Sequence, residues 1–229
     1  MLGAQKFLEA VTAGDAVRVK QMLTIEPGLA NARADSGVSA VMMAIYHNRP
    51  EIRDLLIERG APLGIHEAAA AGKTERVAEL GAHDPATINS FAADGFAPLA
   101  LAAFFGQRHV AEWLLDQGAE VNAVSKNATG YTALSGAVAR GDAEIVRLLL
   151  SRGANARHQY GTGYSPLHEA AAGGKIEILR LLLQHGADPN AATEDGQTPL
   201  AMAEAKGKTE AAVVLREHGA VAKADGTAS

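Results

Sequence analysis

The sequence has no cysteine, and its aromatic residues number only ten in 229: five Phe, four Tyr and one Trp. Without thiols the chain can form neither a disulfide framework nor a thiolate metal site, and it has no cysteine nucleophile. The longest wholly apolar run, residues 96–105, is too short to span a bilayer and contains Pro98. Residues 1–7 lack the apolar stretch of a secretory signal. We therefore expect a cytoplasmic protein that does not enter a membrane.

A strong charge of either sign is also absent. The chain has 21 basic and 26 acidic residues, which gives a net charge of −5. This mildly acidic balance argues against nucleic acid or an anionic membrane as the main partner. The composition therefore predicts no nucleic-acid partner and no membrane partner.

One stretch, residues 163–190, has the signals of a helical hairpin. Ser165 can cap a helix through its hydroxyl, and Pro166 suits the first helical position, where a missing N–H costs nothing. The first helix is expected to stop at Gly173-Gly174 and the second at Gly186, because glycine readily takes the left-handed conformation that ends helices. The second helix carries apolar residues at helical spacing: Ile178, Leu179, Leu182 and Leu183.

The hairpin recurs along the chain. Leu134, Leu167 and Leu200 are spaced 33 apart (167 − 134 and 200 − 167), which is the period of ankyrin repeats. Ser165-Pro166-Leu167-His168 and Gly186-Ala187-Asp188-Pro189-Asn190 match the Thr-Pro-Leu-His and Gly-Ala-Asp-x-Asn motifs of that family. The sequence therefore resembles the ankyrin repeat family over nearly its whole length.

This resemblance implies an all-α ankyrin repeat solenoid of stacked helix–turn–helix hairpins with short β-turn fingers, curved into an array with a concave and a convex side. We expect one domain over residues 1–221, followed by a disordered tail at 222–229. The expected repeats are 1–31 as an N-terminal cap, 32–63, 64–88, 89–122, 123–157, 158–190, and 191–221 as a C-terminal cap.

The third repeat is short. Its helix begins directly after Gly64, so residues 61–65 leave no room for the finger that normally separates two repeats. Gly14 and Gly72 differ in number by 58 (72 − 14), as do Pro27 and Pro85 (85 − 27). Residues 7–63 and 65–121 thus resemble two copies of one double unit, which suggests a tandem duplication.

Catalytic motifs fail in this sequence. His66-Glu67 and His168-Glu169 resemble the start of a zinc-protease motif, but Ala70 and Ala172 stand where the second histidine ligand is needed. The family resemblance gives both histidines a structural function instead, connecting a finger to the start of a helix. We expect no catalytic residue, no metal site and no cofactor.

Partner-binding positions follow from the same resemblance, since ankyrin repeats contact partners through fingertips and the exposed ends of first helices on the concave side. Seven of the ten aromatic residues fall there, and surface aromatics dominate binding hot spots. The candidate contacts are Tyr46, His47, Phe96, Phe104, Phe105, Tyr131, Arg140, Tyr160 and Tyr164, with Val38 and Gln197 in the same register. Phe104 and Phe105 have an alternative function, packing between neighbouring first helices. Tyr131 and Tyr164, beside finger glycines, are expected to be harder to bury.

The sequence thus predicts a monomeric, non-enzymatic module that binds one protein partner over repeats four to six. Three alternatives stay open. The protein could inhibit or protect an enzyme or toxin, or it could be a scaffold that holds other proteins apart. It could also be an enzyme with a site in the notch left by the absent finger, using His66, Glu67 and Asp94; a cavity at that notch would be needed for this.

Overall fold

The computed structural model describes residues 2–221 as helical hairpins joined by short loops. Every helix in this range is too short or too polar to cross a membrane. The tail predicted at 222–229 lies outside the described residues. The first helices of the hairpins are α1 (Leu2–Ala13), α3 (Ala40–Tyr46), α5 (Ile65–Ala70), α7 (Pro98–Phe104), α9 (Ala133–Arg140), α11 (Pro166–Gly173) and α13 (Pro199–Ala205). The second helices are α2 (Ala16–Ile25), α4 (Pro50–Glu58), α6 (Thr74–His83), α8 (Arg108–Asp116), α10 (Ala143–Ser151), α12 (Ile176–Gln184) and α14 (Thr209–Glu217).

Local signals set the helix ends as predicted. Helix α11 begins at Pro166, and Ser165 and His168 form a reciprocal capping box at its start. It ends where Gly174 takes a left-handed backbone with a φ of 65°. Helix α9 begins in a similar way, because the Thr132 side chain accepts from the backbone N–H of Ser135.

The hairpins stack in register, so that first helices pack on first helices and second helices on second helices, with little contact only between α4 and α6 among the described residues. The repeated leucines lie between them: Leu134, Leu167 and Leu200 are each no more than 1% exposed. Each repeat therefore buries its apolar side against its neighbours. The predicted all-α solenoid is confirmed, and each expected repeat holds one hairpin, although the repeat boundaries stay predictions.

The double unit expected from the sequence keeps its spacing in the structure. The first residues of α6, α7 and α8 differ by 58 from those of α2, α3 and α4 (74 − 16, 98 − 40 and 108 − 50). Two short 3-10 helices, Pro27–Asn31 and Pro85–Asn89, keep the same spacing (85 − 27). The double unit is thus a structural unit, and its origin by duplication stays a hypothesis.

The finger is missing between α4 and α5. Other fingers close with a backbone hydrogen bond, such as the one from Ala92 N to Phe96 O at 3.0 Å. Among the described residues no such finger forms between Glu58 and Ile65, and Gly64 is directly the N-cap of α5. Helix α5 contributes Ala70 to an N-terminal core cluster and Ala68 to a C-terminal one. The short third repeat is therefore the junction of two core clusters.

Candidate functional site

The candidate site lies on the surface formed by the fingers and the C-terminal ends of the first helices, here called the finger face. Tyr46 ends α3 and Phe104 ends α7, at equivalent places in the two copies of the double unit. Helix α5 lies between them and ends in Ala70, followed by Ala71. Because alanine is small, aromatic side chains of the second and fourth repeats can meet above the third.

Three rings form a cluster at this place. The ring of Phe105 lies 5.7 Å from that of Tyr46 and 5.1 Å from that of Phe104, measured between centroids. The two phenylalanines meet edge to face at 88°, an arrangement that aromatic pairs favour. Phe105 is half-buried and packs on the N-terminal core, whereas Tyr46 is 37% and Phe104 41% exposed. The alternative of packing between first helices thus describes Phe105 better than Phe104.

An apolar cavity of about 250 Å³ opens on the finger face beside this cluster. Four of the nine predicted contact residues surround it: Tyr46, Phe96, Phe104 and Tyr131. Its floor is formed by Ala100, Leu101, Thr132 and Gly136. The structure therefore brings together residues from the second, fourth and fifth repeats around one concave apolar surface.

Gly136 lines the cavity, and the sequence analysis did not identify it. A Cβ atom at this position would lie 3.3 Å from the Cβ of Phe104, so the absence of a side chain lets α7 and α9 approach closely. The equivalent positions of the neighbouring repeats, found by applying the spacing between repeats, carry Met43, Leu101, Glu169 and Met202. A helical glycine where other repeats carry long side chains was the available signal.

Tyr160 corrects the prediction, because it is only 9% exposed. Its backbone pairs with that of Tyr164 in an antiparallel bridge, which places its ring 6.5 Å from the Tyr164 ring. The same ring meets Tyr131 edge to face at 4.6 Å. Burial raises the pKa of Tyr160 well above its ordinary value. Tyr160 therefore supports Tyr131 and Tyr164, which are half-buried rather than prominent, and offers little contact area of its own.

Arg140 has a structural contact that the sequence prediction did not include. Its guanidinium packs over Gly106 at the end of the preceding first helix. Lys175 lies over Gly141, one repeat further on, and donates to the carbonyls of Val138 and Ala139 at 2.7 and 2.9 Å. Cations favour this end of a helix. The predicted partner contact of Arg140 stays a prediction, as does that of His47, which is exposed and does not line the apolar cavity.

A second cavity, the polar notch, occupies the place of the missing finger. Its volume is about 300 Å³, and its lining includes His66, Glu67 and Asp94. The Nε2 atom of His66 lies 3.2 Å from the carbonyl oxygen of Ser90, to which it donates. The structural function expected for His66 is thus present. A cavity at this place was a requirement of the enzyme alternative, so the absence of catalysis stays a prediction.

Hydrogen bonds connect the notch to the finger face. The Tyr46 hydroxyl donates to Asp94 Oδ2 at 2.5 Å, and Ser39 Oγ donates to Glu67 Oε1 at 2.8 Å. Burial, the hydrogen bond to Asp94 and the charges of Asp94 and Glu67 together raise the pKa of Tyr46 well above its ordinary value. Its hydroxyl therefore keeps its proton and acts as a donor. In residues 2–221 no three His, Asp or Glu side chains are grouped to hold a metal ion.

Comparison with known proteins identifies the repeats. Residues 134–225 match a family model described as ankyrin repeats (3 copies), and residues 99–150 match one described as ankyrin repeats (many copies). The chain is also similar to ankyrin repeat and SAM domain-containing protein 6 of Rattus norvegicus, with 36% identity over 91 residues, and of Mus musculus, with 34% over 91 residues. These alignments cover 40% of this chain and 10% of each relative, so the chain spans about a tenth of the length of the curated relatives it matches.

Proposed function

This chain belongs to the ankyrin repeat family, and we propose that it is a binding module that takes up a large apolar side chain of a protein partner in its apolar cavity. Ankyrin repeats generally mediate protein–protein interaction. The observation that supports the proposal is the apolar cavity itself, bordered by the rings of Tyr46, Phe104 and Tyr131 on the finger face.

The cavity has the size and lining for an anchor residue. Its volume of about 250 Å³ is far above the roughly 30 Å³ that one water molecule occupies in the liquid. Full burial of a leucine or phenylalanine side chain contributes about 1.5–3 kcal/mol. Tyrosine and phenylalanine lose little conformational entropy on binding, because only two side-chain torsions become fixed. A leucine, methionine or phenylalanine of the partner would fit this surface.

The neighbouring surface favours an extended partner over a small molecule. Tyr131 borders both the apolar cavity and an open groove of about 320 Å³, which Tyr160 and Tyr164 also line. The two depressions therefore adjoin along the finger face. A polypeptide segment could place an apolar anchor in the cavity and continue over the tyrosines, whereas a small molecule would cover only one of them.

Selection from a random-peptide display library on the immobilised full chain tests the proposal. We expect the selected peptides to share a large apolar residue. Their binding should weaken in Phe104→Ala, which removes a wall, and in Ala100→Met, which fills the cavity with the residue that Met42 provides at the equivalent place of the second repeat. Ile25→Ala is the matched control, because Ile25 is an apolar side chain with 85% exposure outside the cavity lining.

Thermal unfolding of each variant shows whether the fold is kept. Peptides that bind Ala100→Met and Phe104→Ala as tightly as the unchanged protein would overturn the proposed binding site, provided that both variants unfold in a single transition at a similar temperature.

A further inference from the structure

We infer that the polar notch binds a basic side chain, an arginine or a lysine, of the same protein partner. The inference rests on the proposed function only for the partner being a protein. It is carried by two carboxylates, Glu67 and Asp94, that line one cavity and form no ion pair within 4.0 Å in the described residues, although Arg33 lines the same cavity.

Glu67 is the first part of the argument. Its side chain belongs to α5 and the residue is only 8% exposed. One carboxylate oxygen accepts from Ser39 Oγ at 2.8 Å, and the other, Oε2, has no hydrogen-bond partner within residues 2–221. No fully buried side-chain oxygen in this range lacks a partner, so Oε2 must open into the notch. An accessible carboxylate oxygen without a partner can accept a charge-assisted hydrogen bond from a cationic donor.

Asp94 is the second carboxylate and comes from the finger of the fourth repeat. It accepts from the Tyr46 hydroxyl and from the backbone N–H of Phe96, at 2.5 and 3.3 Å. Both donors are neutral, so the negative charge of Asp94 remains without a compensating cation among the described residues. It faces the same cavity as Glu67.

The notch contains two other groups that can carry charge. Arg33 donates through Nη1 to the carbonyl of Gly37 at 2.9 Å and lies within 4.0 Å of no carboxylate in the described range. His66 donates to the Ser90 carbonyl through Nε2. Two carboxylates and one guanidinium line the notch, and the Lys126 ammonium lies outside its lining, 4.2 Å from the centroid of the Phe91 ring. This lining favours a cationic ligand over an anionic one.

The missing finger explains why this surface is open. Where fingers are present, neighbours join through the backbone, as from Lys126 N to Gly95 O at 2.8 Å and from Glu194 N to Thr162 O at 3.0 Å. At the notch the second and fourth fingers meet without a third finger between them, and a Cβ atom at Gly37 would lie only 3.0 Å from the Cβ of Ala93. A basic side chain of the partner, rather than its backbone, can enter the cavity that both fingers line and reach the carboxylates.

Tyr46 connects the notch to the proposed anchor site. Its ring lines the apolar cavity, and its hydroxyl bonds to Asp94 in the notch. The partner segment is therefore expected to carry a basic residue close to its large apolar residue. Charge-assisted hydrogen bonds to carboxylates are about twice as strong as neutral ones, so this pairing would determine which apolar segments bind.

The test is an NMR titration of the full chain with blocked single residues. The probes are N-acetyl-arginine methylamide, its lysine counterpart, and the citrulline compound, which has the shape of arginine without its charge. Arginine, lysine or both should shift the backbone amide signals of Gly64, Glu67 and Ala93, and citrulline should not. Glu67→Gln and Asp94→Asn should each weaken this binding by about tenfold or more, since a hydrogen bond to a charged group contributes about 1.5–3 kcal/mol.

Two outcomes would overturn the inference. One is a citrulline response equal to the arginine response, or no response to either cation. The other is a result in which Arg33 already acts as the counter-ion of the two carboxylates. In that case Arg33→Gln would lower the melting temperature, and the cations would bind to this variant but not to the unchanged protein. Glu67→Gln should leave the melting temperature nearly unchanged, because the glutamine oxygen can still accept from Ser39 Oγ; this separates lost binding from lost folding.

The two proposals fail in different ways. Selected peptides that share an apolar residue but no basic residue would support binding in the apolar cavity and contradict cation binding in the polar notch. The opposite result is an arginine-induced NMR shift that Glu67→Gln abolishes, together with peptides that bind Ala100→Met as tightly as the unchanged protein. It would support cation binding in the polar notch and contradict binding in the apolar cavity.

Discussion

The Tyr46 hydroxyl reaches the Asp94 carboxylate, 48 residues further along the chain, across the place of the missing finger. We expect Tyr46→Phe to lower the free energy of unfolding by about 1 kcal/mol, near the lower end for a hydrogen bond to a charged acceptor, because the tyrosine is 37% exposed. The ring stays in place, so binding of apolar peptides should persist. Urea denaturation measures the change.

Tyr131→Phe is the matched control for that experiment. Tyr131 lines the same apolar cavity, but its hydroxyl makes no side-chain hydrogen bond within the described residues. An equal loss of stability in both variants would show that the bond between Tyr46 and Asp94 does not stabilise the junction of the second and fourth repeats.

The regular part of this structure could be predicted from the sequence. The caps at Ser165 and Thr132, the stacked leucines and the repeated double unit depend on local signals and on a fixed period. Four of the predicted contact residues also line the apolar cavity, because the resemblance to the family places fingertips and helix ends on one surface; their contact with a partner stays a prediction. The cytoplasmic location, the monomeric state and the absence of a nucleic-acid partner stay predictions.

The irregular part could not be predicted, because it depends on contacts between repeats. The burial of Tyr160 follows from pairing with Tyr164 and from the position of Tyr131 one repeat earlier. The close approach of α7 and α9 beside the apolar cavity depends on one glycine, Gly136, which faces Phe104 of the preceding repeat. Periodic reasoning treats all repeats alike, and these features arise where one repeat differs from its neighbours.

His168 should make stability depend on pH. It is fully buried and joins two segments: the Ser165 backbone N–H donates to Nδ1 at 3.2 Å, and Nε2 donates to the Gln197 carbonyl at 3.2 Å. These roles require the neutral ring. Burial lowers the pKa of His168, partly offset by the hydrogen bond to Gln197.

The direction of the pH effect follows from that lowered pKa. Below the ordinary histidine pKa of about 6.5, the unfolded chain binds a proton that the folded chain does not, so stability falls as pH falls through this range. We expect His168→Gln to be less stable at neutral pH but to lose less stability between about pH 6.5 and pH 5.5. His109→Gln, at an exposed histidine, is the control. Equal slopes in the unchanged protein and His168→Gln would contradict a neutral buried histidine.

Lys175 should stabilise the stacking of the fifth and sixth repeats. Its ammonium group donates to two carbonyls in the last turn of α9, at Val138 and Ala139, of which that of Val138 also accepts from the Gly141 N–H. Lys175→Met keeps the apolar stem and removes the charge, and we expect a loss of about 0.3–1 kcal/mol in the free energy of unfolding. The control is Lys206→Met, at an exposed lysine. If Lys175→Met and Lys206→Met lose the same free energy of unfolding and both losses disappear in high salt, a general effect of net charge would explain the result instead.

The two core clusters should respond separately to equivalent substitutions. Leu56 in α4 and Leu182 in α12 occupy the same place in their repeats and are both fully buried. Replacing either with alanine should cost about 2–5 kcal/mol. Because Leu56 and Leu182 lie in different core clusters and most contacts in a repeat array are between neighbours, we expect Leu56→Ala to speed hydrogen exchange mainly in the N-terminal cluster and Leu182→Ala mainly in the C-terminal cluster.

The junction at α5 decides the result of that experiment. Ala70 belongs to the N-terminal cluster while Ala68 and Ala69 belong to the C-terminal one, and no finger joins the second repeat to the third. If both leucine variants instead speed hydrogen exchange uniformly over residues 2–221, the short third repeat couples the unfolding of the two core clusters as strongly as a full repeat would. The bond between Tyr46 and Asp94, which passes over α5, would then be the first contact to examine, and adding Tyr46→Phe to Leu56→Ala should confine the exchange to the N-terminal cluster.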